Sequence, residues 1–427
     1  MEEIVIKGVT ISDPGGPHHG TCQDIRIHKG VIQEIGTHLQ VSTKTSIWEA
    51  QGSCVSMGWM DLQADFCDPG QEQKEGLENG AEAALHGGFA HVVLNTGQFP
   101  CADSKSAVTY LKSRSANFVT EVLPMAAISV NRDGNQLAEM YDLAAAGAIM
   151  YSDDGPLDRT EMLRRALEYA QGVDKRVAVC PLDMGLNAHA TMHEGATSTH
   201  MGVVGNPTSS ETMRIMRDLE VLRYAGGKLH FTVISSKESV ELIRAAKKEG
   251  LDVTCATTAH HLWFIDEDLA LFDGTLKVMP PFRTGADRKA LIKGLRDGTI
   301  DALISDHRPE DLEHHDVEFT LAPWGMAGIE SAYAVAQGAI QSDGSKDDSA
   351  LVRALTAGPR HVVGYPVTHI DVDAPADVTW FMPHGAWLHA GISNGVNVPN
   401  YATKKGMTPT GQPLGVIRGQ RSWRHKG

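Results

Sequence analysis

Residues 58–70 read GWMDLQADFCDPG. From Met60 to Phe66 apolar and polar residues alternate, and the run breaks at Pro69-Gly70. Period-two alternation stopped by a Pro-Gly turn is the pattern of a short strand opening onto a loop. Gln63, Asp65 and Cys67 fall on one side of that strand, so it delivers three heteroatom-bearing side chains to a rim.

Working outward, the same strand signal returns at intervals. Short apolar runs occupy 57–62 (MGWMDL), 89–94 (FAHVVL), 120–127 (TEVLPMAA), 147–151 (GAIMY), 176–180 (RVAVC), 229–234 (LHFTVI), 251–256 (LDVTCA) and 300–305 (IDALIS). Helical patterns lie between most of them. In 159–171, Met162, Leu163, Ala166, Leu167 and Ala170 share a face, with Asp158 and Glu161 at capping-box spacing. The stretch 236–249 starts from Ser235, carries Glu238 three residues on and stops at Gly250. A third helix is predicted over about 287–297, ending at Gly298. Strands alternating with helices predict an α/β fold, a (β/α)8 TIM-type barrel over 55–360.

The flanks differ. Residues 1–54 hold strand-like pieces ("EIVIKGVTIS", "DIRIHKGVIQEIG"), and 361–427 hold others ("ADVTWFM", "PLGVIRG"). Neither flank can bury a core alone, which predicts one small β-sandwich domain built from both chain ends.

Bulk numbers narrow the function. The 427 residues carry 38 basic and 53 acidic side chains, a formal net charge of -15. That balance argues against nucleic acid and anionic membranes as partners; the tail "RGQRSWRHKG" reads as a solvated terminus. Six cysteines (22, 54, 67, 101, 180, 255) form no CxxC pair, the N-terminus lacks a signal-peptide pattern, and no apolar run reaches the length of a membrane helix. A cytoplasmic protein is expected.

Barrel enzymes carry their chemistry at the C-terminal strand ends. Those positions hold Gln63 and Asp65, then Asn95, Asp153 and Asp154, Cys180, Val233, His260 and His261, and finally Asp306 and His307. In order, "GWMDLQADFCDPG", "AALHGGFAHVVLNTGQFP", "YSDDG", "MHEG", "HFTVISSKESVELI", "TAHHL", "KVMPPFR", "DGTIDALISDHRP" and "APWGMAGIES" resemble the motifs of dihydroorotases, the cyclic amidohydrolase group of the amidohydrolase superfamily.

The resemblance implies two metal ions, usually zinc. They would be held by a His-x-His pair on strand one, a His from each of strands five and six, an Asp from strand eight, and in some members a carbamylated Lys or an Asp from strand four. Here the pair is Gln63 and Asp65, the strand-five ligand is Cys180, and the strand-six ligand is Val233; Asp306 is retained, with Asp153 and Asp154 beside the strand-four position. The family's arginine for the substrate carboxylate is replaced by Cys67, and an Asn before the Pro-Pro by Met279. Asn95, His307 and the loop carrying Pro323 and Gly325 remain at substrate positions.

Hydrolysis of a cyclic amide through metal needs a water of lowered pKa. Valine has no lone pair, a neutral amide is a poor zinc donor, and a thiol cannot replace a bidentate guanidinium. These losses predict a non-catalytic dihydroorotase-like protein with no cofactor or metal. The family resemblance implies a structural or regulatory role in pyrimidine biosynthesis, with aspartate carbamoyltransferase as partner and a homo-oligomer, such as a dimer, as assembly. The alternative is a diverged cyclic amidohydrolase with one zinc ion on Asp65, Cys180 and Asp306. Remaining carboxylates would repel one another and rise in pKa unless they were fewer than in a metalloenzyme or basic partners joined them. The His pairs at 18–19, 260–261 and 314–315 are not at ligand spacing, Cys180 reads as a small buried hydrophobe, and Met213 and Met216 read as core.

Overall fold

The computed structural model describes residues 3–425 apart from 187, 343, 345–347, 405 and 406. Strands Trp59–Ala64, Phe89–Leu94 and Glu121–Pro124 pair in parallel, as do Val177–Val179, Leu229–Phe231, Val253–Thr258 and Ala302–Ile304. Single bridges close the ring: Tyr151 joins Ala126 on one side and Val177 on the other, and Ala64 pairs with His307. The fourth strand expected at 147–151 is therefore reduced to one bridging residue. Its buried Ala148 and Met150 supply the apolar run without a full ladder.

Met60, Leu62, Val93, Met150, Ala178 and Ile304 belong to one buried cluster inside the ring, whereas Trp59, Ala64, Phe89 and Leu94 pack in the larger cluster with the helices. Register slips between Asp61 and Ala64. Such an irregularity re-aims a strand end.

Two predicted helix starts shift. Thr160–Gln171 has no side-chain cap, because Asp158 pairs with Arg214 instead of the helix amides. Lys237–Glu249 is capped by Ser236, whose Oγ accepts from Ser239 N, while the Ser235 hydroxyl donates to Glu211. The third helix is Gly285–Asp297, entered through a Thr284–Asp287 capping box. Met213 and Met216 are not core: they are 47% and 46% exposed on helix Thr208–Ala225. That helix turns Glu211, Arg214, Ile215, Asp218 and Leu219 inward, so its buried face is half polar and the methionines face out.

Both chain ends form one sheet. Its order is Arg421–Arg424, Thr410–Arg418, Asp377–Ala386, Cys54–Met57, Ile4–Ile11, Cys22–His28 and Val31–Gly36, with Ser46–Glu49 parallel to Ile4–Ile11. It encloses its own core of Ile6, Ile25, Trp48, Val55, Val378 and Trp380. The basic tail is an edge strand rather than a solvated terminus, and Trp423 Nε1 donates to Glu82. His91 Nδ1 lies 2.9 Å from Glu121, and its Nε2 lies 2.9 Å from Asp377. Asp377 also accepts from Arg360 at 2.7 Å, and Tyr365 Oη donates to Glu121 at 2.7 Å. This network ties the small domain to the barrel where its strands begin. The six cysteines are free thiols. Among the described residues no helix is long and apolar enough to cross a membrane.

Candidate functional site

At the C-terminal strand ends the barrel opens into a cavity of about 280 Å³. Gln63, Asp154, Cys180, Val233, Asp306 and Arg308 line it, with Met279, Trp324 and Gly325. Arg308 was not singled out from the sequence, and it organises the mouth. Its Nε donates to Asp306 Oδ1 at 3.0 Å, while Nη1 and Nη2 fork onto the two oxygens of Asp154 at 3.1 and 2.7 Å. Gln63 Nε2 donates to the same Asp306 oxygen at 2.8 Å. Asp306 (φ 46°) and Asp154 (φ 51°) both take left-handed backbone conformations, uncommon outside glycine. A forked guanidinium–carboxylate contact is among the stronger and more directional charge-assisted pairings. Burial opposes the guanidinium charge, but Asp154 and Asp306 outweigh it and raise the Arg308 pKa well above the usual arginine value.

The Asp153–Asp154 pair separates. Asp153 turns away from the mouth and accepts from Ile128 N at 2.8 Å, Ser129 N at 3.0 Å and the Ser129 hydroxyl at 2.6 Å. Asp65 also stays outside the cavity lining, its Oδ1 accepting from Cys67 N at 2.7 Å. Burial raises its carboxyl, the Cys67 amide lowers it, Asp154 raises it further and Arg308 opposes that rise. Gly97 permits the approach of these loops: a Cβ there would lie 2.7 Å from Asp65 Oδ2 and 3.5 Å from Asp154 Oδ2. Gly325 (φ 129°) plays a similar part, since a Cβ would come within 2.5 Å of Arg308 Cβ.

The remaining predicted positions divide. Met279 and Gly325 reach the cavity; Cys67, Asn95, His307 and Pro323 do not line it. Asn95 Oδ1 accepts from Gly97 N at 3.0 Å, and its buried Nδ2 has no partner among the described residues. His307 is fully buried, accepts from Gly328 N at 3.2 Å through Nδ1, and lies 3.6 Å from Glu75. His260 meets the Tyr401 hydroxyl at 2.9 Å, and burial pushes its pKa down to about 3. His261 donates through Nε2 to Pro280 O at 3.0 Å, with its pKa lowered to about 4, first by burial. Both rings are neutral struts at pH 7. Burial pushes the Cys180 thiol up to about 12, so it offers no thiolate.

A network missed from sequence lies nearby. Glu211 and Arg283, both with side chains fully buried, pair at 3.3 Å, and Arg283 also reaches Ser235 at 2.8 Å and His193 at 3.1 Å. "KVMPPFR" and "MHEG" contained its ends, but nothing in the spacing linked them.

The donor set does not fit two zinc ions. Gln63 presents a neutral amide, Val233 a hydrocarbon with no lone pair, and both mouth aspartates are engaged by a guanidinium. Nor does the structure gather Asp65, Cys180 and Asp306 around one ion. Among the described residues, the one set of three candidate ligand atoms within 4.8 Å of one another is Glu310, Asp311 and His314, outside the cavity. There Glu310 pairs with Lys74 at 2.8 Å and Asp311 caps the turn at His314.

A family model described as Dihydro-orotase-like matches residues 52–239. The chain is 36% identical to a dihydroorotase of Syntrophus aciditrophicus, over 90% of this chain and 91% of that protein. It is 34% identical to one of Pelotomaculum thermopropionicum over 98% of each. Among solved structures it resembles the L-hydantoinase (dihydropyrimidinase) of Arthrobacter aurescens, with TM-score 0.84 and 19% identity over 100% of this chain and 97% of the other. It also resembles a D-hydantoinase (dihydropyrimidinase) of Thermus sp., with TM-score 0.78 and 19% identity over 99% and 97%. At such identity the structural likeness establishes the fold, a TIM barrel with a small β-sandwich.

Proposed function

This chain belongs to the dihydroorotase-like family, and within it we propose that it is a non-catalytic member with a structural or regulatory role in pyrimidine biosynthesis, assembling with aspartate carbamoyltransferase. The observation that carries the reading is Arg308 seated between Asp154 and Asp306. The cavity holds its positive charge on a side chain that never loses its proton at physiological pH. Such a group neutralises carboxylates but cannot lower the pKa of a water as a bound cation does. The other candidate bases are occupied: His260 and His261 are committed to structural hydrogen bonds, and the retained Asp306 accepts from Arg308 and Gln63. The partner comes from the family resemblance, and the loss of hydrolytic chemistry makes a partner role the economical account of a retained fold.

The curated relatives named dihydroorotase favour a second reading, a diverged hydrolase of a cyclic amide. One experiment separates the two. Protein purified without added metal is analysed for metal and assayed for ring opening of dihydroorotate, then passed over a sizing column with aspartate carbamoyltransferase. The expected result is far less than one ion per chain, no turnover, and co-elution. One bound ion per chain, lost together with turnover in Asp306→Asn, would sink the non-catalytic reading.

A further inference from the structure

The loops that follow the seventh and eighth barrel strands meet outside the mouth. Phe272 packs edge-on against Phe319 at 6.1 Å, and Lys277 Nζ donates across the junction to Thr320 O at 2.9 Å and Ala322 O at 2.6 Å. A Cβ on Gly274 would touch the Ala322 methyl and the His315 ring, each at 3.5 Å. From this joined pair Leu271, Leu321, Leu312 and Phe272 face solvent, 87%, 73%, 63% and 49% exposed. Single exposed apolar side chains are ordinary; four on two touching loops make a patch.

The same two loops carry Glu267, Glu313, Asp316 and Glu318, all exposed and in no ion pair among the described residues. Among the described residues the nearby lysines are committed: Lys404 pairs with Asp268, Lys74 with Glu310, and Lys277 is buried. His314 is held by Asp311 at 2.6 Å and His315 is half-buried, while His260, His261, Arg283 and His307 on the same loops are buried and Arg308 is paired at the mouth. The joined loops thus expose apolar side chains and unpaired carboxylates together.

That charge selects the occupant. Nucleic acid and anionic lipid are repelled by four unpaired carboxylates. A second copy docking patch to patch about a two-fold axis would set the same carboxylates against themselves. We propose that these two loops form a docking surface for a protein partner whose contact face carries lysines and arginines around an apolar centre. The inference rests on the reading that this chain works through a protein partner, and it supplies the chemistry of the contact. The second of the two loops also carries Arg308 and Trp324, so a docked partner bears on the wall of the cavity.

Two full-length variants test it, Leu271→Ser/Leu321→Ser and Glu313→Lys/Asp316→Lys/Glu318→Lys; neither touches the cavity lining, and both should keep the wild-type melting curve. The first probe is a labelled amphipathic Lys/Leu helical peptide followed by fluorescence anisotropy. Wild type should bind it, with affinity falling at least about tenfold in each variant and again when salt rises from about 0.05 to about 0.5 M. No binding, or equal binding by wild type and variants, overturns the proposal. The second probe is aspartate carbamoyltransferase of the same source. Loss of its co-elution in both variants supports the surface; unchanged co-elution overturns the surface and leaves the partner reading intact. If it never binds while the peptide still discriminates, the partner identity fails and the surface stands. Self-association of wild type that the leucine variant abolishes, or patch-dependent binding to RNA or anionic vesicles, overturns the proposal.

Discussion

At each end of the barrel cations are held between carboxylates, but the cations differ in kind. Where the strands begin, His91 and Arg360 share Asp377 and Glu121 with Tyr365, in a packed junction that fixes the small domain. Where the strands end, Arg308 spans Asp154 and Asp306 at the edge of a cavity, its side chain 27% exposed, with Arg132 standing 3.9 Å from Asp154. The first network includes a histidine whose pKa its carboxylate partners raise above 6.5; the second relies on a guanidinium. A joint that only has to hold can rely on a histidine enclosed by acids. A mouth that gathers two carboxylates without a histidine beside them needs a charge that stays on at every pH, and a guanidinium supplies it.

The contrast can be broken most forcefully at the junction. Arg360→Met leaves Asp377 short of a buried partner and should cost about 3–5 kcal/mol, read by denaturant unfolding. A loss below about 1 kcal/mol would mean that the junction is not what couples the two domains.

Arg308→Met should cost less, about 1–3 kcal/mol, because water reaches the mouth. In that variant alone, divalent cations should raise the melting temperature, since the oxygen ligands Asp154 and Asp306 lose their resident charge. Equal metal dependence in wild type would contradict the assignment. Arg308→Lys should fall between, keeping the charge but not the fork.

The pH dependence separates the ends further. Burial favours a neutral His91, but Asp377 and Glu121 overcome it and raise its pKa above the ordinary 6.5. Burial likewise works against the Glu121 charge, yet His91 holds that carboxyl down at about 2. The histidine's contribution is complete below pH 6.5 and is lost as pH rises through its raised value. The Glu121 contribution is complete above its ordinary 4.5 and is lost as pH falls toward 2. Unfolding measured across pH should therefore show a loss on the alkaline side that His91→Gln removes and Arg308→Met leaves in place.

The smallest effect belongs to Cys180. With its thiol raised to about 12, it should react with iodoacetamide at neutral pH far more slowly than exposed Cys22, and Cys180→Ala should change stability by about 1 kcal/mol or less. Rapid labelling at Cys180 would place a thiolate in the mouth and reopen the case for a rebuilt site.

Much of this arrangement was legible in the residues. The alternation from Met60 to Phe66 located the first strand, and Gln63, Cys180, Val233 and Asp306 do meet at one cavity. Asp153 and Asp154 could not be told apart, because which of two neighbours faces the mouth depends on the Ser129 loop, distant in sequence. Arg308 was readable in principle: it follows Asp306 by two residues in "SDHRP", and carboxylates without metal require a cation. Met213 and Met216 were misjudged because helical periodicity identifies two faces without saying which is inward, and here the inward one carries Glu211 and Asp218. The tail looked like a solvated end because strand pairing with Thr410–Arg418 is a tertiary fact.

On the non-catalytic reading proposed above, Arg308 also sets the order in which a two-ion centre could be built here. Gln63→His, Cys180→His and Val233→His would bring imidazoles to a cavity that Arg308 lines and whose two aspartates it occupies. Replacing the arginine has to come first, and that first change is the one expected to weaken the protein.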